Sequence, residues 1–357
     1  MPSSSRSCRR RLASLAAVTA VAVLSFLGAA CGSGDPSVTI AVTDGSRSAT
    51  PEGASARPSA APGVPTVTPV PEPVVVIAAV GDLMLGRSVG WRIAAGEPGI
   101  PFGSVAPLLE ADLTVGNLEA PIADSGSPAA KAYAFRAPTS AARILAEAGF
   151  DVVALANNHA LDHGPEALLQ TLDLLAAAGV HGVGAGPDAA AAHRPLIVER
   201  QGLRLAFLAY VDTPPEGTYR RETWEAAEGK PGVAWLDLAR LREDVSRAKG
   251  LADNVIVFFH WGIEGSTEPS EAQRTVAEAA LAAGATLVLG SHPHLLQPVE
   301  EREGRLVAFS LGNFVFDGFE GQANRSAVLR IVLDRRGVQE WKLVPVHIVD
   351  GVPFPAE

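Results

Sequence analysis

Past residue 31 the chain has no cysteine: its two, Cys8 and Cys31, both lie near the N-terminus. A body without thiols forms no internal disulfide and no thiolate metal site, and cysteine nucleophiles are excluded there. Any metal must be held by His, Asp, Glu or Asn, donors that suit hard and borderline ions. Positive charge is scarce too. Against 39 Asp and Glu stand 29 Lys and Arg, a net charge of −10, and the basic residues of the body are interspersed with acidic ones. The electrostatic footprint of a nucleic-acid binder is therefore missing. Long apolar runs are also lacking, since the run from Leu12 to Leu27 is short for a membrane span.

What is present begins with that run. Arg6, Arg9, Arg10 and Arg11 precede it, and Gly28, Ala29 and Ala30 follow it, directly before Cys31. This three-part pattern is that of a secretory signal peptide. Residues 1–31 thus read as a signal peptide with a lipobox-like cysteine, Cys31 as its lipidation site, and the outer face of the cytoplasmic membrane as the location. Gly28 stands where a lipobox usually has Leu, and cleavage after Ala30 to give a freely secreted protein is the alternative. Residues 32–73, rich in Pro, Ser, Ala, Gly and Thr without apolar periodicity, cannot bury enough surface to offset their ordering entropy and read as a disordered tether.

From residue 74 to 357 the texture is that of one domain. The apolar run Val74 to Asp82 suits a buried strand, as do 112–115, 152–156, 203–210, 255–259, 286–289 and 306–309. Helical patterns at 139–148, 165–178 and 270–283 separate several of them. Two further strands, 327–333 and 338–346, flank turn residues 334–337. The expected class is α/β, with a β-sandwich core flanked by helices.

Polar residues gather at the ends of these strands: Asp82; Asn117 and Glu119; Asn157, Asn158 and His159; His260; His292 and His294. Strand ends are where ligands distant in sequence converge on one sheet edge. Carboxylates and imidazoles together are what a hydrolytic metal centre needs, and a His-x-His step can reach neighbouring ions. His159 beside Asn158 is placed to carry a proton without being a ligand. Blander readings exist for several residues. Asn117 could cap a turn, Asp162 and His163 could open the following helix, His181 and His193 could be loop histidines, and Trp261 could simply pack.

The segments GDLMLGR (81–87), GNLE (116–119), NNHALDHG (157–164), HWG (260–262), GSHPH (290–294) and SLGNFVFD (310–317) resemble, in order, the motifs of the CapA (poly-γ-glutamate capsule synthesis) family. That family is similar in turn to the calcineurin-like metallophosphatases. The resemblance implies a metallophosphatase-like fold and one or two divalent ions of manganese, iron or zinc. It implies that Asn158, His260 and His292 hold one ion and Asp82, Glu119 and His294 the other, with His159 as the catalytic proton carrier beside Asp82. Met84 stands where the pattern has a histidine, and Glu119 where it has a bridging Asp, so one ion or two both stay open. Arg87, Glu264, Asn117 and Asn313 are candidates for contacting substrate or supporting the ligands. The implied activity is hydrolysis of a phosphoester or amide in capsule-polymer synthesis, export or anchoring. The alternative is a non-catalytic subunit that binds the polymer or steadies a membrane capsule-synthase complex. Implied partners are the capsule polymer or a small phosphoester or amide substrate, synthase subunits, and the membrane through the lipid anchor, but no nucleic acid.

Overall fold

The computed structural model describes residues 72–356; residues 1–71, on which the expected signal peptide, Cys31 and nearly all of the expected tether fall, and residue 357 lie outside the described residues. An eight-stranded sheet runs in the order β16 (Val352–Pro355), β15 (Gly337–Val349), β14 (Arg325–Asp334), β1 (Val75–Leu83), β2 (Leu113–Leu118), β3 (Phe150–Ala154), β4 (His181–Val183), with β13 (Asn313–Val315) paired to the end of β1. The strands β1 to β4 are parallel, while β14, β15 and β16 are antiparallel. A six-stranded sheet runs β11 (Val299–Arg302), β12 (Arg305–Ala308), β10 (Leu287–Ser291), β9 (Asn254–Trp261), β7 (Leu203–Asp212), β6 (Leu196–Arg200). A small ribbon pairs β5 (Ala185–Gly186) with β8 (Gly232–Val233).

The two large sheets share one core. Leu205, Phe207 and Ala209 of β7 and Ile256 and Phe258 of β9 pack with Ile77, Val115, Val152 and Leu329 of the first sheet. The alternate residues, Ala206, Leu208, Tyr210, Val255, Val257 and Phe259, turn to the opposite face and a second cluster. Strand side chains alternate faces, so a sheet covered on both sides must read as an unbroken apolar run. The second cover is α7 (Leu238–Lys249) and α8 (Glu271–Ala283). Ser270 and Gln273 close a capping box at the start of α8, and Asp237 caps α7. On the first sheet α3 (Ala141–Glu147) and α4 (Gly164–Ala178) bury Leu145, Leu168 and Leu175 in the shared core. The result is a mixed α/β fold, a two-sheet core flanked by helices. Among the described residues no helix is long and apolar enough to cross a membrane.

The strands expected from the sequence all form, with ends moved by up to three residues. Elements with weak apolar signals went unforeseen: α1 (Arg87–Ala94), the four-residue helices α2 (Ala106–Leu109), α5 (Ala189–Ala192) and α6 (Arg221–Trp224), α7, and the short strands β4, β5, β6, β8, β11, β13 and β16.

Candidate metal centre

The C-terminal ends of parallel strands from both sheets meet at one place. β1 delivers Asp82, β2 delivers Asn117 with Glu119 just beyond it, and the turn after β3 carries Asn157, Asn158 and His159. From the second sheet β9 delivers His260, and the turn after β10 carries His292 and His294. The approach is close: a Cβ on Gly81 would meet the Gly312 carbonyl at 1.8 Å, and one on Gly290 the Phe309 carbonyl at 1.9 Å. Only glycine lets these backbones pass. His292 (φ 95°) and His294 (φ 58°) both occupy the left-handed region, an unusual conformation for histidine that concentrates at functional sites.

Asp82 is fully buried. Its Oδ1 accepts from the Asn117 amide at 2.8 Å, and its Oδ2 lies 3.3 Å from the His292 backbone N–H and 3.4 Å from His294 Nδ1. Asn117 therefore caps no turn. Its amide also sits 3.2 Å from His260 Nδ1, and its carbonyl oxygen accepts from Asn157 at 3.2 Å. Asn158 Oδ1 stands 2.8 Å from His260 Nε2. Asn313 Oδ1 accepts from His294 Nδ1 at 2.8 Å and so aims that ring.

Glu119 is the anomaly. It is fully buried, and neither carboxylate oxygen has a hydrogen-bond partner. Around its Oε1 stand His260 Nε2 at 3.7 Å, His159 Nε2 at 3.8 Å and His294 Nε2 at 3.9 Å. These separations are too long for hydrogen bonds. Donors sharing one ion on bonds of about 2.1 Å stand roughly 3 to 4 Å apart, so the 3.9 Å between Glu119 Oε1 and His294 Nε2 fits two ligands of one centre. Donor atoms of Asp82, Glu119 and His294 all lie within 4.8 Å of one another. An unpartnered buried carboxylate costs several kcal/mol, on the order of the desolvation of an ion, unless a cation or proton offsets it.

The protonation pattern agrees with that fit. Burial, then the neighbouring Asp82 carboxylate, pushes the Glu119 carboxyl well above the usual carboxylate range. Burial and the His294 ring push His292 down to about 3. Burial, with His292, His294 and His159 adding to it, holds His260 well below the ordinary histidine value. Both rings are thus neutral, the form that binds metals. For His294 burial works in the same direction, but Asp82 and Asn313 outweigh it and its pKa rises.

His159 is held differently. Its Nδ1 lies 2.6 Å from Asp162 Oδ2, and its ring stacks on Phe135 with centroids 4.1 Å apart. Burial outweighs the Asp162 carboxylate and lowers its pKa. Asp162 lies two residues before α4 and is fully buried, so it does not open that helix. His163 does occupy the N-cap position, without a side-chain capping bond. The Lys131 side chain, fully buried, pairs with Asp162 at 2.8 Å. Sequence reasoning missed Lys131 and Phe135.

Above these groups opens a cavity of about 610 Å³, bordered by Asn158, His159, His292 and His294 and walled by Tyr133, Phe135, Phe316 and Phe319. Arg87 and Glu264 line it, and neither has a hydrogen bond or ion pair with a candidate ligand. Arg87 pairs with Asp317 at 3.0 Å. Trp261 packs, stacked on Phe259 at 4.4 Å. His181 is exposed on β4, whereas His193 is buried and bonded to Asp244 at 2.9 Å. Met84 is buried away from the cluster's bonds, its sulfur 3.3 Å from the Gly86 N–H.

Residues 76–318, which carry every candidate ligand, match the family described as bacterial capsule synthesis protein PGA_cap. The chain belongs to that family. It is 32% identical over 282 residues to the PGA biosynthesis protein CapA of Bacillus subtilis, covering 78% of this chain and 73% of the relative. It is likewise 32% identical over 285 residues to the capsule biosynthesis protein CapA of Bacillus anthracis, covering 77% and 68%. A probable polyglutamine synthesis accessory protein of Mycobacterium tuberculosis is 31% identical over 246 residues, 65% of this chain and 64% of the relative. Like the family as a whole, this PGA_cap member has a metallophosphatase-like fold, and its buried Asp82, Glu119 and His294 could hold a metal.

Proposed function

We propose that this PGA_cap protein is a metal-dependent hydrolase of a phosphoester or amide, acting outside the cytoplasm in the synthesis, export or anchoring of a poly-γ-glutamate-type capsule polymer. The observation that carries the metal is Glu119, buried without a partner and ringed by three imidazole nitrogens. Asp82, Glu119 and His294 would hold the ion, with His260, Asn158 and His292 beside them. One ion is favoured over two. Met84 removes a donor, and the buried carboxylates of Asp82, Glu119 and Asp162 against the Lys131 ammonium leave a charge that one divalent ion balances. When bound, such an ion polarises a phosphoryl or carbonyl oxygen and acidifies water.

The chain's own residues supply the rest. The Asp162 carboxylate receives the Nδ1–H of His159, which leaves Nε2 facing Glu119 and the cavity as the atom that takes up or delivers a proton. Phe135, Phe316 and Phe319 form an apolar wall that keeps water from the reacting groups. The names of the relatives support the capsule role, and the leader pattern before Cys31 supports export and acylation there. Metabolic labelling with a palmitate analogue should mark the wild type and not Cys31→Ser.

Metal content decides between readings. Elemental analysis of the purified protein should find about one equivalent of manganese, iron or zinc, lost in His294→Ala, and a screen of phosphoesters and γ-glutamyl amides should then show turnover abolished in His159→Ala. A protein that takes up none of the three ions after reconstitution would sink the hydrolase. A second reading, a polymer-binding subunit of a membrane synthase complex, is favoured by the missing donor at Met84, and under it His159→Ala is silent.

A further inference from the structure

Two charged groups of the centre, Lys131 and Asp162, are neither ligands nor proton carriers. Lys131 lies in the segment between β2 and α3, which docks on the turn after β3. The Ala129 N–H donates to the Asp162 carbonyl at 2.7 Å, and Gly126 passes so close to His163 that a Cβ would meet its carbonyl oxygen at 1.8 Å. The Lys131 ammonium ends fully buried with three polar neighbours. It donates to the Asn158 carbonyl at 2.7 Å, pairs with Asp162 Oδ1 at 2.8 Å, and lies 3.2 Å from His159 Nδ1. Asp162 Oδ2 is closer to that Nδ1, at 2.6 Å, and takes its proton; the same oxygen accepts from the Phe135 N–H at 2.6 Å. Lys131 reaches the turn, Phe135 stacks on His159, and Tyr133 stands at the cavity mouth.

We propose that Lys131 is a positioning residue: its single ammonium fixes both the Asn158 backbone and the Asp162 carboxylate that orients His159, and so holds a metal ligand and the proton carrier in one register. A buried lysine is expensive to desolvate, and one that serves only to pack would be replaced by an apolar side chain without loss. Here its three polar contacts all lie on the turn that carries Asn158 and His159, while the ring of Tyr219 faces the ammonium at 5.9 Å. Residues that orient a ligand without touching the ion typically change affinity by about 10- to 100-fold.

The inference rests on the metal reading for one readout and is independent of it for the other. Two variants are compared with the full exported chain. Lys131→Met removes the cation alone; Lys131→Met combined with Asp162→Asn removes both partners of the pair, so neither is left as a lone buried charge, which protects folding. In metal-free protein, imidazole nitrogen shifts of His159 should report the Nδ1–H tautomer in the wild type and a mixture of tautomers in both variants. Calorimetric titration with manganese should show at least a tenfold weaker affinity. Folded variants with wild-type His159 shifts and wild-type manganese affinity would overturn the proposal. If the wild type takes up no manganese, the metal reading falls, and the His159 shifts still decide the role of Lys131.

Discussion

At the scale of single residues, the centre depends on side chains that hold other side chains. Asn117 is the clearest case, because its one amide group meets both Asp82 and His260. Asn117→Ala should weaken manganese binding by about 10- to 100-fold while lowering stability by only ~1–3 kcal/mol, since it deletes orienting hydrogen bonds and no ligand. Titration calorimetry beside urea unfolding would separate the two effects, and an unchanged affinity would refute the role. The ligand candidates themselves were legible in the sequence as polar residues closing apolar runs. Asp162 was not. A carboxylate two residues before a helix and a carboxylate three residues after a histidine are the same letters, and only the burial of that turn selects the second. Lys131 was equally hidden, for a lone lysine among small residues reads as solvated until a second segment closes over it.

At the scale of elements, the second sheet separates two functions by face. The face toward the first sheet carries the shared core, with the strand ends opening on the cavity; the other binds α7 and α8. Asp244 of α7 is buried there and accepts from Tyr210 at 3.1 Å and from His193 at 2.9 Å. Burial, and then Asp244 itself, raises the pKa of the Tyr210 hydroxyl. Asp244→Ala would strand both donors and should cost about 3 kcal/mol or more in chemical denaturation. Manganese affinity should stay as it was, because none of these contacts reaches the centre. A milder change on the same helix, Asp237→Ala, removes the cap that accepts from Ala239 and Arg240 and should cost ~1 kcal/mol. A loss far above that would mean the cap does more than end the helix. The alternation that makes the sheet two-faced is visible in β7 and β9 as unbroken apolar letters, but those letters cannot say which face meets which partner.

At the scale of the whole molecule, charge bears on the ligand. The chain carries a net charge of −10. At the cavity Arg87 is engaged by Asp317, while Glu216 and Glu264 also line the wall. Under the proposed function a polyanion such as poly-γ-glutamate would meet a like-charged rim, and its binding should strengthen as salt screens the repulsion. Affinity measured by fluorescence anisotropy between low and physiological ionic strength should rise. A fall would mean that a basic surface, not this cavity, takes the polymer.

The sequence by itself determined the α/β class, the strands of the core, the strand-end positions of Asp82, Glu119, His260, His292 and His294, and through its motifs the family. Each of these is encoded locally, as an apolar run with a polar residue at its end. Tertiary structure alone decided that two sheets bring those ends to one point. It also decided that Glu119 is left without a partner, that Asn117 serves Asp82 and not a turn, and that Lys131 and Asp162 stand behind His159. These are facts of burial and of contact between segments far apart in the chain, and no local pattern records which distant segment will close over a residue.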